Sequence, residues 1–224
     1  MSEMWLKFVK IHTDSLGSHS FLKIFTKKYT HTPNSCYNKH NLKIFTGTSM
    51  EKIILVDEHD NIIGHEEKMR AHENGGKLHR AFSIFIFNTK GEMLIQQRSL
   101  KKYHFGGLWT NTCCSHPNEG ETLEQATHRK LNQEFGFNTD ITEKFSFIYK
   151  ETDKSSGLTE HEFDHVFTGE FNGTPQPNPE EIDDFKWVSV ANLQQDIKLH
   201  PEKYTPWFKI AIAKFGELGL ALKK

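Results

Sequence analysis

The stretch GETLEQATHRKLNQEFG, residues 120–136, contains the clearest helix signal in the chain. Thr122 is followed three residues later by Gln125, which is the pattern of a capping box at a helix start. Gly136 is placed to end the helix. Four apolar residues predict a buried stripe along it: Leu123, Ala126, Leu131 and Phe135. The stretch therefore predicts an amphipathic helix over residues 121–135.

Segments with strand patterns lie on both sides of this helix. Thr205 and Pro206 predict the start of a further helix near the C-terminus, because proline is favoured in the first turn of a helix. Because strands and helices mix without a regular βαβ order, we expect an α+β or α/β/α layered domain. The predicted strands are Lys52–Val56, Ile62–Gly64, Ala81–Asn88, Met93–Arg98, Phe145–Lys150, Glu160–Phe171 and Phe185–Val188.

Composition excludes several classes of protein. The 224 residues suit one large domain, or one domain with a tail, and the net charge of −1 implies no general affinity for nucleic acid. No apolar run approaches the roughly 20 residues of a membrane span, so no membrane association is expected. The adjacent Cys113 and Cys114 are too close for a disulfide with each other, and we expect a reduced, cytoplasmic protein.

Residues 1–49 differ in composition from residues 50–224. They contain seven lysines, no arginine and two acidic residues, and short apolar pieces alternate with polar ones without a lasting helix or strand period. We expect an N-terminal extension that is poorly ordered, followed by one domain over 50–224. The lack of arginine argues against an organelle-targeting peptide, and no secretory signal is evident.

Histidines and glutamates at three places could converge on a metal ion. His72 and His79 flank a glycine-containing segment that can return one imidazole towards the other. Glu160 and Glu162 are two residues apart in a predicted strand, so both side chains point to one face. Two like charges so close are costly unless a cation lies between them. With His116, these residues would suit Mn²⁺, Mg²⁺ or Zn²⁺ better than Ca²⁺.

Cys114 lies two residues before His116, within the stretch WTNTCCSHP at 109–117. The thiol can therefore lie beside a metal without binding it. The chain lacks the second cysteine pair of a structural zinc site, and no papain-like signature surrounds the cysteine. A thiol that faces a metal-tuned carboxylate is a proton donor and acceptor pair, which predicts chemistry of proton addition and removal.

The helix stretch resembles the Nudix box, in which glutamates of a helix hold metal ions on a diphosphate. Glu121, Arg129, Glu134 and Gly136 match that box, whereas Ser115 stands where its first glycine belongs. Two of its acidic positions carry Lys130 and Gln133. The loss of two metal-binding carboxylates should weaken activated-water chemistry and leave diphosphate recognition possible.

From about Met50 to about Phe215, the chain resembles type 1 isopentenyl-diphosphate Δ-isomerase, a family with a Nudix-like α/β/α layered domain and a mixed sheet. The most specific matches are TNTCCSHP at 110–117 and LTEHE at 158–162, and LHRAFS at 78–83 adds support. The resemblance implies conversion of isopentenyl to dimethylallyl diphosphate in isoprenoid biosynthesis. A proton would be added to the terminal alkene carbon and another removed from the neighbouring methylene, through a tertiary carbocation.

The resemblance also implies roles for individual residues and two metal ions. One divalent ion, Mn²⁺, Mg²⁺ or Zn²⁺, would lie at the histidines and glutamates, and a second Mg²⁺ would accompany the substrate diphosphate. The implied catalytic residues are Cys114, Glu162, Tyr149 and Trp207. The implied metal ligands are His72, His79, His116, Glu160 and Glu162, with Glu134 for the second ion. The implied diphosphate-binding residues are Lys68, Arg98, Lys102, Ser115 and Lys130.

Two other functions remain open from the residues. One is a true Nudix hydrolase acting on a nucleoside diphosphate derivative, against which Lys130, Gln133 and the Cys-Ser-His motif argue. The other is a non-catalytic metal-binding module, in which Cys114 would have no evident role. The sequence leaves open whether the protein is a monomer or a homodimer, and whether Cys114 or Glu162 acts first.

Overall fold

The computed structural model of the chain describes residues 4–13, 20–29 and 51–220. The chain divides into two units, Met1–Thr48 and Ser49–Lys224. In the first unit, β1 (Met4–Thr13) pairs antiparallel with β2 (Ser20–Tyr29), with Phe8 opposite Phe25. The sequence shows no strand period here because apolar residues come in runs, such as residues 4–6 and 8–9, rather than in strict alternation. The poor order expected of residues 1–49 stays a prediction.

The second unit is built on one mixed nine-stranded sheet. Five strands form its main path in the order β11–β6–β5–β10–β9, in which β10 runs parallel to β5 and antiparallel to β9. The strands are β3 (Lys52–Val56), β4 (Ile62–Glu67), β5 (His79–Phe87), β6 (Glu92–Arg98), β7 (Trp109–Thr110), β8 (Cys113–Ser115), β9 (Ile141–Thr152), β10 (Thr159–Glu170) and β11 (Ile182–Ser189). The helices are α1 (Lys68–His72), α2 (Leu123–Phe135), α3 (Val190–Leu199) and α4 (Pro206–Glu217), with a 3₁₀ turn at Pro201–Lys203.

The predicted helix is present as α2, and its ends form as its sequence indicates. The Thr122 hydroxyl accepts a hydrogen bond from the backbone amide of Gln125, and the Gln125 side chain accepts one from the amide of Thr122. Gly136 ends the helix in the left-handed conformation, with φ of 69°. The structure adds α1, α3, β7 and β8, which the patterns did not predict because these elements are short or lack a clear period.

Two apolar clusters cover the two faces of the sheet. Along β5, Phe85 and Phe87 belong to one cluster, while Ile84 and Ile86 belong to the other, because alternate residues of a strand point to opposite faces. The first cluster contains apolar residues of α4, and the second contains those of α2. The sheet therefore lies between helices, which confirms the α+β class and the α/β/α layers. Within the described ranges, none of the helices has the length and apolar content of a membrane span.

Candidate active site

Strand β10 is the element around which the site is assembled. Glu162 lies opposite His79 of the parallel strand β5 and opposite Tyr149 of the antiparallel strand β9. Glu160, two residues earlier, shares the face of Glu162. The register of three strands thus brings together residues that are far apart in sequence.

The two remaining histidines arrive from short elements beside the sheet. His72 ends α1, and the chain then turns through Gly75 and Gly76, both with positive φ, before it enters β5 at His79. His116 follows directly after β8, which pairs with β5. The return of the chain that the sequence predicted between His72 and His79 is present.

Five side chains form a buried cluster of metal-ligand type: His72, His79, His116, Glu160 and Glu162. One ligand atom from each lies within 4.8 Å of every other. The Nε2 atoms of His79 and His116 are 3.1 Å apart, and Nε2 of His116 is 2.9 Å from Oε1 of Glu162. Nε2 of His72 is 2.9 Å from Oε2 of Glu160. Nitrogen and carboxylate oxygen atoms at these separations form a donor set for one divalent cation.

Hydrogen bonds behind the cluster orient the imidazoles towards it. Nδ1 of His72 donates to the carbonyl oxygen of Lys68 at 2.7 Å, and Nδ1 of His79 donates to that of Lys77 at 2.8 Å. This tautomer leaves each Nε2 lone pair directed at the cluster, as in histidines that bind metals. Nε2 of His72 and Oε2 of Glu160 are buried, and neither makes a hydrogen bond within the described part of the chain. A cation would satisfy both atoms, so the residues fit a metal ion.

The two buried glutamates have opposite pKa shifts. Burial raises the pKa of the Glu162 carboxyl, and the nearby charge of Glu160 raises it further. Burial also acts to raise the pKa of Glu160, but the imidazoles of His104 and His72 outweigh it and hold that pKa well below its usual range. Glu162 is therefore the carboxyl whose proton affinity suits acid–base chemistry, whereas Glu160 remains an anion.

The cluster opens into a cavity of about 310 Å³. The four predicted catalytic residues line it together: Cys114, Glu162, Tyr149 and Trp207. The Tyr149 hydroxyl donates to Oε2 of Glu162 at 2.6 Å. Burial raises the pKa of the Cys114 thiol to about 12, against the opposing charge of Arg98, so the thiol is protonated at neutral pH. A thiol and a carboxyl that both exchange protons therefore share one cavity.

The five predicted diphosphate-binding residues also line this cavity: Lys68, Arg98, Lys102, Ser115 and Lys130. Each lysine has a carboxylate partner. Lys68 lies 3.2 Å from Glu51, Lys130 lies 3.0 Å from Glu134, and Lys102 contacts Glu181. An anionic ligand would therefore add to a balanced set of charges and compete for these cations.

Arg98 connects the polar and apolar parts of the cavity. Its guanidinium carbon lies 5.2 Å from the ring centre of Trp207, and its Nη1 donates to Sγ of Cys114 at 3.7 Å. Nη2 donates to the carbonyl oxygen of His104 at 3.1 Å. Arg98 is 6% exposed, and these contacts hold its guanidinium in place.

Glu134 lies outside the five-residue cluster. Its Oε2 accepts a hydrogen bond from the Gln96 side chain at 2.9 Å, and its Oε1 faces Nζ of Lys130. The expected role of Glu134 towards a second Mg²⁺ stays a prediction.

Four residues of the cavity wall are not predicted from the sequence: Glu51, Tyr103, His104 and Glu181. Glu51 and Glu181 are the partners of Lys68 and Lys102, and His104 contacts Oε1 of Glu160. No motif spacing marks these residues. The short apolar and basic segment that contains His104 gave no periodic signal to place it against β10.

Known proteins match this chain in both family and fold. The NUDIX domain model matches residues 77–208. Isopentenyl-diphosphate Delta-isomerase 2 of Aromatoleum aromaticum is 49% identical over 157 residues, which are 70% of this chain and 82% of that protein. Isopentenyl-diphosphate Delta-isomerase of Halorhodospira halophila is 45% identical over 161 residues, 71% of this chain and 92% of that protein.

Two solved structures have a similar fold at low sequence identity. The DR0079 protein of Deinococcus radiodurans is 22% identical with a TM-score of 0.56, over 66% of this chain and 90% of that one. A MutT protein from Methanosarcina mazei is 19% identical with a TM-score of 0.53, over 63% of this chain and 95% of that one. These two likenesses concern the fold alone.

Proposed function

Since this chain belongs to the isopentenyl-diphosphate Delta-isomerase family of isomerases, within the NUDIX fold, we propose that it converts isopentenyl diphosphate to dimethylallyl diphosphate in isoprenoid biosynthesis. One observation carries the proposal: the Cys114 thiol and the Glu162 carboxyl line the same cavity, beside a metal-ligand cluster and five cationic side chains. A proton donor, a proton acceptor and a place for a diphosphate are the parts that this double-bond migration needs.

The proton transfers belong to Cys114 and Glu162. One of them delivers a proton to the terminal alkene carbon, which leaves a positive charge on the tertiary carbon. The other removes a proton from the methylene next to that carbon, and the electrons of the broken C–H bond form the new double bond. The two residues exchange roles when the reaction runs in reverse.

Tyr149 and Trp207 complete the proton path and the hydrocarbon end of the cavity. The Tyr149 hydroxyl holds Oε2 of Glu162 and can pass a proton along this hydrogen bond. The Trp207 ring lines the cavity, and an aromatic face stabilises a nearby cation by about 2 kcal/mol when water is excluded. The ring already lies beside the guanidinium of Arg98, which supports its use as a cation partner.

We assign one divalent ion, Mn²⁺, Mg²⁺ or Zn²⁺, to His72, His79, His116, Glu160 and Glu162. When bound, it supplies positive charge that offsets the two buried carboxylates and holds them in place. We assign a second Mg²⁺, with Glu134, to the substrate diphosphate. Lys68, Arg98, Lys102, Ser115 and Lys130 would hold the diphosphate oxygens through charge-assisted hydrogen bonds.

Hydrolysis of a nucleoside diphosphate derivative is less well supported. On α2, Nζ of Lys130 lies 3.0 Å from Glu134 and Gln133 is uncharged, so this face has fewer carboxylates to hold metal ions around an attacking water. The cysteines indicate a reducing environment. A reactive Cys114 requires a free thiol, and both Cys113 and Cys114 are free in the described residues. We therefore expect the enzyme to act in the reducing cytoplasm, as a monomer or a homodimer.

The test is a comparison of products. Purified protein with Mg²⁺ and Mn²⁺ is supplied either with isopentenyl diphosphate or with a nucleoside diphosphate sugar. We expect dimethylallyl diphosphate from the first and no released phosphate or nucleotide from the second. Released phosphate or nucleotide, with unchanged isopentenyl diphosphate, would replace the isomerase assignment by hydrolysis.

A further inference from the structure

His104 is a buried histidine that contacts the cluster without belonging to it. It lies in the connection between β6 and β7 and is 5% exposed. Its Nε2 contacts Oε1 of Glu160, whereas the other oxygen, Oε2, faces His72 at 2.9 Å and His79 at 3.9 Å. His104 is not one of the five residues whose ligand atoms converge. The two oxygens of Glu160 thus have different partners.

The contact has a defined hydrogen-bond direction. A carboxylate oxygen accepts, so Nε2–H of His104 donates to Oε1 of Glu160. Nδ1 of His104 is buried and has no hydrogen-bond partner among the described residues. Among the described residues, the His104 side chain therefore makes one hydrogen bond, to the carboxylate of Glu160.

The surroundings of His104 fix its position. Its ring stacks on Tyr103 with centroids 4.4 Å apart, and its carbonyl oxygen accepts from Nη2 of Arg98 at 3.1 Å. The next residue, Phe105, has φ of 48°, and its amide donates to Oδ2 of Asp153 at 3.1 Å. The backbone around His104 is thus held by Arg98 and by Asp153. A backbone held in this way can keep the side chain of Glu160 in one orientation.

We propose that His104 is a positioning residue that orients Glu160 for metal binding, by holding Oε1 so that Oε2 faces the imidazoles of His72 and His79. This inference rests on the proposed metal site. Hydrogen bonds behind metal ligands set ligand orientation, and their loss typically lowers metal affinity about tenfold to a hundredfold. His104 acts on the metal through Glu160 and is not itself one of the five ligand residues.

Two substitutions separate the hydrogen bond from packing. His104→Phe keeps an aromatic ring beside Tyr103 and removes the donor. His104→Gln loses the ring but supplies an amide N–H that can reach Oε1 of Glu160. His165→Phe is the matched control, because His165 is a buried histidine that contacts the carboxylates of Glu143 and Asp60 away from the cluster.

The measurement is the Mn²⁺ dissociation constant of metal-free protein by calorimetric titration, with the thermal unfolding midpoint of each apoprotein recorded. We expect His104→Phe to bind Mn²⁺ at least tenfold more weakly, with His104→Gln and His165→Phe within threefold of the parent chain. The apparent Mn²⁺ requirement of activity should rise in parallel for His104→Phe, with kcat largely restored at saturating Mn²⁺.

Equal affinity of His104→Phe and the parent chain would overturn the inference and leave the metal site intact. Equal weakening by Phe and Gln would also overturn it, since packing rather than the donor would then matter. If the parent chain itself bound no Mn²⁺, the proposed metal site would fail first.

Discussion

The hydroxyl of Tyr149 donates a 2.6 Å hydrogen bond to Oε2 of Glu162, and the two residues are direct partners across β9 and β10. The other oxygen of the same carboxylate lies 2.9 Å from Nε2 of His116, within the metal-ligand cluster. Glu162 is therefore shared between the cluster and a phenol. The proposed double role of Glu162, as a metal ligand and as a proton-transfer group, requires such an arrangement.

Tyr149→Phe should lower kcat by on the order of tenfold to a hundredfold, because a hydrogen bond to a charged group is worth roughly 1.5–3 kcal/mol. The hydrogen bond from Tyr149 lowers the pKa of Glu162, so its removal should move the Glu162 limb of the pH–rate profile upward. Tyr204→Phe is the control, since Tyr204 donates to Asp196 away from the cavity. An unchanged kcat and pH profile in Tyr149→Phe would contradict this role.

Cys114→Ala should abolish turnover and leave the bound metal content unchanged, because we propose that the thiol transfers protons, and Cys114 is not one of the five residues of the metal-ligand cluster. Metal analysis of the purified variant and an isomerase assay measure the two effects separately. Cys113→Ala is the matched control, because Cys113 is fully buried in the apolar cluster beneath α2. This variant should be less stable than the parent chain but should keep its activity. Turnover that survives in Cys114→Ala would remove the thiol from the mechanism.

Alkylation of Cys114 should depend on pH as expected for a thiol with a pKa of about 12. The raised pKa favours the neutral thiol, and the thiolate is the reactive form. In metal-free protein with Cys36 and Cys113 changed to serine, the iodoacetamide rate should rise with pH through pH 10 without a plateau. A plateau near pH 8 or 9 would show an ordinary thiol and would contradict the effect of burial.

Gly76→Ala should weaken metal binding and stability more than Gly75→Ala does. Both glycines have positive φ, which costs an alanine roughly 1–2 kcal/mol. A Cβ at Gly76 would also lie 2.8 Å from the carbonyl oxygen of Thr159, next to Glu160, whereas one at Gly75 meets only Nζ of Lys150 at 4.0 Å. Urea unfolding and Mn²⁺ titration of the two variants compare them, and equal losses would argue against the clash.

Local patterns were enough to predict α2, most strands of the sheet and the five-residue cluster. The capping residues of α2 act within one helical turn, and the spacing of Glu160 and Glu162 fixes their common face. The family motifs around Cys114 then indicated which scattered histidines belong with these glutamates. Each of these predictions uses residues that are close together in the sequence, or a motif that is one continuous stretch of it.

Contacts that depend on tertiary placement were beyond the sequence. His104 and Glu160 are 56 residues apart, and Lys102 and Glu181 are 79 apart. No sequence spacing predicts either contact. The segment between β6 and β7, which contains Lys102 and His104, could pack in many ways until the sheet register is known. Helix α1 has five residues, too few to establish a helical period. The balance of cations and carboxylates in the cavity therefore emerged from the structure.

We propose that this chain adds and removes protons at a carbon–carbon double bond. The most direct measurement incubates the protein with isopentenyl diphosphate and Mg²⁺ in deuterated water and follows the products by NMR. We expect dimethylallyl diphosphate that carries deuterium in a methyl group, since the added proton comes from exchangeable groups of the cavity. Unlabelled, unconverted isopentenyl diphosphate with both Mg²⁺ and Mn²⁺ supplied would contradict it.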